Sequence, residues 1–159
     1  MRLLCDEMLH GLARWLRAAG HDTAVADGGI ADAVLVRRAA EEGRLLLTRD
    51  RRLAARADAE RVPAYLPEAA DLDRLARELR HKVGIDWQAA PFTRCLLDNA
   101  MLVRAGAAEI ERVPAASRPL AGQLTTCPAC RRLYWPGSHF RRMERRLALW
   151  AAEAAAAEG

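Results

Sequence analysis

Apolar and polar positions follow a regular alternation over the first half of the chain. Short apolar runs predict strands, and segments in which apolar residues recur every three or four positions predict helices. The strands are predicted at residues 2–5, 23–26, 45–48 and 62–66, and the helices at residues 8–19, 32–42, 51–57 and 71–83. This alternation predicts an α/β fold, a parallel sheet flanked by helices on both faces. Pro63 places the last strand at an edge of that sheet.

The pattern changes after Gly84. Residues 85–143 contain short apolar pieces, turn residues and three of the four cysteines. This composition predicts a small metal-stabilised unit. Residues 144–159 are rich in alanine and predict a C-terminal helix or tail. The predicted organisation is therefore a core over residues 1–84, a cysteine-bearing unit over 85–143, and the segment 144–159.

Length and composition restrict the class of protein. The 159 residues, 52% of them hydrophobic, can form one domain of ordinary size with a real core. No apolar run approaches the roughly 18 residues of a membrane span, and the first residues turn acidic too soon for a signal peptide. We expect a cytoplasmic protein without a membrane partner, in which paired cysteines indicate metal or redox chemistry rather than disulfides.

The charge of the chain favours a nucleic-acid partner. The net charge is +4, the pI is about 9.2, and Lys82 is the only lysine among the basic side chains, which are otherwise arginines. The basic excess is concentrated between Arg131 and Arg146. Guanidinium groups bind phosphate in a fork geometry, so this segment suits RNA. An equally good explanation of the arginine bias is the codon usage of a GC-rich genome.

Three aspartates carry the most informative pattern. Asp6 and Asp50 stand at or just beyond the ends of two predicted strands, and Asp32 heads a predicted helix. In a parallel sheet, reactive groups collect outside the carboxyl ends of the strands. Gathered carboxylates need a cation, and Mg²⁺ or Mn²⁺ prefers oxygen ligands. The pattern predicts a metal-dependent phosphodiesterase, although each aspartate is also a good helix N-cap.

The cysteines predict a second, structural metal site. Cys127 and Cys130 form a Cys-x-x-Cys knuckle, which lets two thiolates hold one Zn²⁺. Upstream, Cys95 is followed by Asp98 where a zinc ribbon would place its next cysteine. A site of Cys95, Asp98, Cys127 and Cys130 is therefore expected, with His139 as an alternative fourth ligand and a vacant site as a further alternative. A thioredoxin-type redox role is the remaining alternative, although that motif normally follows the first strand.

Three segments, residues 5–17, 43–53 and 127–143, closely resemble the Mut7-C RNase domain, and the resemblance covers residues 1–143. Members combine a PIN-like nuclease core with a C-terminal zinc ribbon. The resemblance implies an RNA-cleaving, divalent-metal-dependent enzyme. It places Asp6, Asp32 and Asp50 on the acidic positions of the active site, and Cys95, Cys127 and Cys130 on zinc positions. Asp98 departs from the family pattern, which has a cysteine there.

Basic and aromatic side chains are the candidates for RNA contacts. The predicted set is Arg14, Arg49, Arg131, Arg132, His139, Arg141 and Arg142. Arginines near the acidic cluster in sequence have charge balance as their alternative role: Arg14, Arg17, Arg49 and Arg51. Tyr134 and Trp135 are expected either to stack on bases or to pack the zinc unit. Glu7 is assigned to a helix dipole, with a fourth place in the acidic cluster as its alternative, and Asp27 is assigned to a turn.

The combined hypothesis is a ribonuclease with catalytic Mg²⁺ or Mn²⁺ and structural Zn²⁺. Water is the expected nucleophile, because no serine, histidine or cysteine forms a convincing triad in the sequence. Two alternatives remain at this point. One is a non-catalytic RNA-binding module with a structural zinc ribbon, and the other is a thiol oxidoreductase.

Overall fold

The computed structural model describes residues 1–155, except for the side chains of residues 117, 119–121 and 153–155. The end of the predicted segment 144–159 therefore lies outside the described residues. The first half of the chain contains β1 Arg2–Cys5, a 3₁₀ helix Glu7–Leu9, α1 His10–Ala18, β2 Asp22–Val25, α2 Asp32–Glu41, β3 Leu45–Leu47, α3 Arg51–Ala59, β4 Ala64–Tyr65 and α4 Leu72–Val83. Every strand and helix predicted there is present, with its ends within two residues of the prediction.

The second half of the chain has less regular structure. It contains β5 Val103–Arg104, α5 Ala107–Glu111, a 3₁₀ segment Ala115–Gln123, β6 Thr125–Thr126, β7 Leu133–Tyr134 and α6 Ser138–Ala155. Strands β5, β6 and β7 form a small antiparallel sheet. No helix in the described part of the chain is long and apolar enough to cross a membrane.

The first four strands form one parallel sheet in the order β2-β1-β3-β4. Cys5 of β1 pairs with Val25 of β2 and with Leu47 of β3, so three strands end at the same level. The residues that follow these strands therefore meet at one edge of the sheet. This register brings together residues that are far apart in sequence.

The strands are buried on both faces, which explains their continuous apolar sequence. Leu3 and Cys5 of β1 point into a core formed with α1, α4 and α6. Leu4 points the other way, into a core formed with α2 and α3. The prediction of a parallel α/β sheet with helices on both faces is confirmed.

Helix α4 shows how local sequence fixes the ends of an element. The side chain of Asp71 accepts a hydrogen bond from the backbone N–H of Arg74 at 2.9 Å and caps the first turn. Gly84 ends the helix in the left-handed conformation, at a φ of 77°. Between these ends, Leu75 and Leu79 lie on the buried face.

Helix α6 begins at Ser138, six residues before the predicted start of the C-terminal helix. It packs on α4, and its Met143, Leu147 and Trp150 belong to the same core as β1 and α1. The ring of Trp150 lies 4.9 Å from that of Trp87. Helix α6 is therefore part of the core and not a free tail. The predicted domain boundaries at residues 84 and 143 stay predictions.

Arg17 joins the cysteine-bearing segment to the core. Its buried guanidinium donates hydrogen bonds to the carbonyl oxygens of Thr23, Leu96 and Leu97, at 2.9, 3.1 and 2.6 Å. The backbone of this segment also approaches the core closely at Gly20, because a side chain there would meet the carbonyl of Ala90. These contacts fix the position of the segment that carries Cys95 relative to the core.

Candidate active site and metal centre

Asp6 lies at the carboxyl edge of the sheet, between β1 and β3. Its backbone N–H donates to the carbonyl of Leu47 at 2.9 Å, so the residue continues the strand pairing. Its side chain is almost fully buried, and Oδ2 accepts a hydrogen bond from Thr48 Oγ1 at 2.8 Å. Thr48 Oγ1 in turn accepts from the backbone N–H of Asp50 at 2.9 Å. Thr48, which the sequence analysis did not single out, therefore links two of the predicted catalytic residues.

Asp50 caps helix α3. Its Oδ1 accepts hydrogen bonds from the backbone N–H groups of Arg52 and Leu53, at 2.7 and 3.3 Å. The capping role that was the alternative for this residue is therefore real. Within the described residues its second carboxylate oxygen makes no hydrogen bond, so capping leaves one oxygen for another ligand.

Asp32 and Asp6 differ from Asp50 because neither makes a side-chain capping bond. The N-cap of α2 is Ala31, and Asp32 is the exposed first residue of the helix. Asp6 precedes the 3₁₀ helix, and its side chain bonds to Thr48 instead. The capping alternative is therefore wrong for these two aspartates; Asp32 instead lies in the first turn of α2, where a carboxylate favours the helix dipole.

The three aspartates line one cleft of about 160 Å³. Glu7 and Asp27 also line it, so five carboxylates from different elements share a small volume. Among the described residues, none that lines this cleft is basic. We call it the acidic cleft. Its charge favours a cation, and its all-oxygen donors suit Mg²⁺ or Mn²⁺ better than Zn²⁺.

The acidic cleft is not a closed cage of direct ligands. In the described part of the chain, one group of at least three metal-binding side chains has its ligand atoms within 4.8 Å of one another. That group is Cys95, Asp98, Cys127 and Cys130, and it is not in the acidic cleft. Mg²⁺ usually keeps several waters and takes one or two carboxylates. An open acidic cleft therefore fits such an ion, whereas a dehydrated metal would need closer ligands.

The second group is compact. Cys95, Asp98, Cys127 and Cys130 bring one ligand atom each within 4.8 Å of the others. The sulfurs of Cys95 and Cys130 are 3.6 Å apart, and the sulfur of Cys127 is 3.2 Å from Asp98 Oδ2. Two sulfurs bound to one tetrahedral Zn²⁺ at about 2.3 Å would lie about 3.8 Å apart. The spacing of this group, which we call the cysteine cluster, therefore fits zinc.

Asp98, and not His139, stands in the fourth position. The Nε2 of His139 lies 3.0 Å from Arg14 Nη2, within hydrogen-bond distance, and His139 is not part of the cluster. The alternative of His139 as a zinc ligand is wrong, because α6 starts at Ser138 and carries this side chain toward α1. Asp98 thus places a carboxylate, in place of a fourth thiol, beside the three cysteines.

Neighbouring groups set the charge of the cysteine cluster. Burial opposes ionisation of Asp98, but the N–H of Ala100 and the three thiols outweigh it and lower the pKa of Asp98 to about 2. The hydrogen bond to Asp98 raises the pKa of Cys130 to about 12. Outside the cluster, Tyr134 Oη lies 3.2 Å from the sulfur of Cys95 and accepts from the N–H of Leu96. Such outer contacts orient metal ligands.

The predicted RNA-binding residues divide into groups. Arg14, Arg132 and His139 line one cavity of about 260 Å³ together with several aromatic side chains. Arg49 is elsewhere and donates to the carbonyl of Ala69 at 2.6 Å. The other predicted residues are exposed and do not line that cavity: Arg131, Arg141 and Arg142. Arg17 neither is available to RNA nor balances the aspartates, because its guanidinium is buried against carbonyl groups.

The fold and these two groups define a mixed α/β protein with an acidic cleft at the edge of a parallel sheet and a cysteine-rich candidate metal centre. The chain belongs to the Mut7-C RNase family: the family model described as "Mut7-C RNAse domain" matches residues 1–147. No curated protein and no solved structure matches the chain. The family membership confirms the resemblance found in the sequence and gives the chain an RNA-related, nuclease-type function.

The capping role of Asp50 gives a prediction about stability. Asp50→Asn should keep the free energy of unfolding within about 0.5 kcal/mol, because asparagine caps helices as well as aspartate. Asp50→Ala should lower it by about 1 kcal/mol, because the N–H groups of Arg52 and Leu53 lose their acceptor. Urea unfolding of the three proteins measures this. Equal stability of Asp50→Ala and wild type would contradict the capping assignment.

Proposed function

We propose that this protein is a divalent-metal-dependent ribonuclease whose active site is the acidic cleft. One observation carries the proposal: Asp6, Asp32 and Asp50, from three separate elements, line the same cleft at the carboxyl edge of a parallel sheet. Membership of an RNase family supplies the class of substrate. These carboxylates repel one another, and a bound cation would offset that repulsion.

The residues of the cleft divide the work of holding a metal ion. Asp6 is fixed by its backbone bond to β3 and by the hydroxyl of Thr48. Asp50 is fixed through its cap and presents its other oxygen. Asp32 is exposed and free to adjust. When bound, Mg²⁺ or Mn²⁺ supplies Lewis-acid stabilisation of negative charge on the phosphate and lowers the pKa of water.

The chain offers no side-chain nucleophile in this cleft. Among the described residues, none that lines it is serine, threonine, cysteine, histidine or lysine. Thr48 lies beside Asp6, but its hydroxyl donates to the Asp6 carboxylate and accepts from Asp50. Hydrolysis by water is therefore the reaction that the residues support, and Thr48 is a positioning residue.

Loss of the negative charge of Asp6 or Asp50 should reduce catalysis. Asp6→Asn and Asp50→Asn should each lower the rate of Mn²⁺-dependent cleavage of a single-stranded RNA by about 100-fold or more, because the metal ion that stabilises the transition state loses a charged ligand. The matched control is Asp58→Asn, an exposed aspartate of the same helix as the Asp50 cap. Cleavage by the Asn variants at the wild-type rate would exclude the acidic cleft as the active site.

Thr48 gives a separate prediction. Thr48→Val removes the hydroxyl that orients Asp6 and should lower activity or metal affinity by about 10- to 100-fold, the usual effect of removing an outer partner of a metal ligand. Thr48→Ser keeps the hydroxyl and should restore most of the loss. The readout is the dependence of the cleavage rate on Mn²⁺ concentration. Identical curves for Val and wild type would show that Thr48 does not position Asp6 for catalysis.

We further propose that the cysteine cluster holds a structural Zn²⁺. Three sulfurs and one carboxylate at tetrahedral spacing support a metal centre over a redox pair, since Cys127 and Cys130 face Cys95 and Asp98 as one group. Such an ion would tie the segment that carries Cys95 to the β6–β7 hairpin. The hairpin also carries Tyr134, whose hydroxyl lies 3.2 Å from the sulfur of Cys95.

Metal analysis of the purified protein tests this assignment. We expect about one zinc per chain, a large loss of zinc in Cys127→Ser, and retention of zinc in His139→Ala, because His139 is outside the cluster. Insulin reduction should be absent in wild type. Zinc-free wild-type protein, or zinc loss in His139→Ala, would contradict the ligand set.

A further inference from the structure

A cavity of about 260 Å³ lies between α1, the segment before Leu97 and the start of α6. Its walls include the aromatic side chains of Phe92, Tyr134, Trp135 and Phe140. The acidic cleft has a different set of lining residues. We call this second space the aromatic cavity. Nothing in the proposed hydrolysis uses it.

The aromatic side chains form an apolar wall of the cavity. The rings of Phe92 and Phe140 lie 4.1 Å apart and are tilted by 35°. Trp135 is half-buried, and its indole N–H, unlike those of Trp87 and Trp150, has no hydrogen-bond acceptor among the described residues. Gly137 lies against that N–H, since a side chain there would approach Nε1 to 3.1 Å. An apolar wall with one available donor matches a base that carries ring acceptors.

The charged side chains that line the cavity are basic. Arg14, Arg132 and His139 line the cavity, and in the described part of the chain no acidic residue does. Neither arginine forms an ion pair with a described carboxylate; the side-chain partner of Arg14 is His139. The start of α6, at Ser138, adds the positive end of a helix dipole. This charge complements a phosphate beside the flat ligand.

A nucleotide combines a flat ring with a phosphate and so matches both properties of the cavity. Its base must be unpaired, because stacking on an aromatic side chain requires a free base face. We propose that the aromatic cavity binds one unpaired base of the RNA while Arg14 and Arg132 hold its neighbouring phosphates. The proposal rests on the proposed ribonuclease function for its substrate class. Asp6 and Arg14 are eight residues apart on consecutive elements, because Asp6 precedes the 3₁₀ helix Glu7–Leu9 and Arg14 lies in α1. Eight residues span at most about 28 Å, so one RNA strand of several nucleotides is long enough to contact both the aromatic cavity and the acidic cleft.

Binding is measured without cleavage, by fluorescence anisotropy of a labelled single-stranded RNA hexamer with no Mg²⁺ or Mn²⁺ added. The second probe is an abasic hexamer with the same backbone. Wild type should bind the base-containing hexamer about tenfold or more tightly than the abasic one. Trp135→Leu should remove most of that difference and leave abasic binding unchanged. Its zinc content serves as the check that the unit is folded.

A second variant avoids the question of folding. Leu97 lines the cavity and Met101 does not, although both are 52% exposed. Leu97→Glu should weaken binding of the base-containing hexamer about tenfold, because it places a negative charge beside the site of the phosphates. Met101→Glu makes the same charge change nearby and should weaken it much less. Arg14→Gln should behave like Leu97→Glu, with Arg37→Gln as its control on the opposite face of the sheet.

Equal affinity for the two hexamers, or variants of the cavity that bind like their controls, would overturn the proposal and assign the cavity to another ligand. That result leaves the ribonuclease function intact if cleavage still depends on Asp6. Conversely, base-dependent binding that Trp135→Leu abolishes, in a protein that does not cleave RNA, would support the cavity and reject the nuclease.

Discussion

The parallel pairing of β1 with β3 is the constraint on which the site depends. Cys5 and Leu47 are opposite each other, so the next residue of each strand, Asp6 and Thr48, meets at the edge of the sheet. The bond from Asp6 N–H to the Leu47 carbonyl and the bond between their side chains follow from that register. Without it, the carboxylates would separate by mutual repulsion. The sheet therefore supplies the geometry, and a cation would supply the missing charge.

Helix α1 connects the acidic cleft to the rest of the molecule. Its buried face contributes Leu12 and Leu16 to the core beneath the sheet. Its last turn carries Arg17, which binds the carbonyls of Leu96 and Leu97 beside the first zinc-type cysteine. Arg14, on the same helix, lines the aromatic cavity. One short helix, which follows the acidic cleft along the chain, thus contacts the core, the segment that carries Cys95 and the aromatic cavity.

The sequence was sufficient for the strands and helices of the first half of the chain and for the members of the cysteine cluster. That Asp6, Asp32 and Asp50 hold a metal ion stays a prediction. Continuous apolar strands and capped helices are local signals, and they survive in the fold. The start of α6 was placed too late, because the arginines of its first turns, such as Arg141 and Arg142, hide its apolar periodicity. Its contribution to the core depends on contacts with distant residues such as Trp87.

Other features could not be predicted because they depend on tertiary register. Thr48 is an ordinary strand residue until β3 pairs with β1. Asp27 was assigned to a turn, and Glu7 to a helix dipole with the acidic cluster only as its alternative, yet both line the acidic cleft. The contact between Arg14 and His139 spans most of the chain, which no local pattern signals.

The most direct test of the central claim is the position of Mn²⁺ in a crystal of this protein soaked in that ion, located by its anomalous scattering. The account predicts an anomalous peak in the cleft bounded by Asp6, Asp32 and Asp50, lost in crystals of Asp6→Asn. Manganese found only elsewhere, or a cleft without a peak at saturating Mn²⁺, would contradict it.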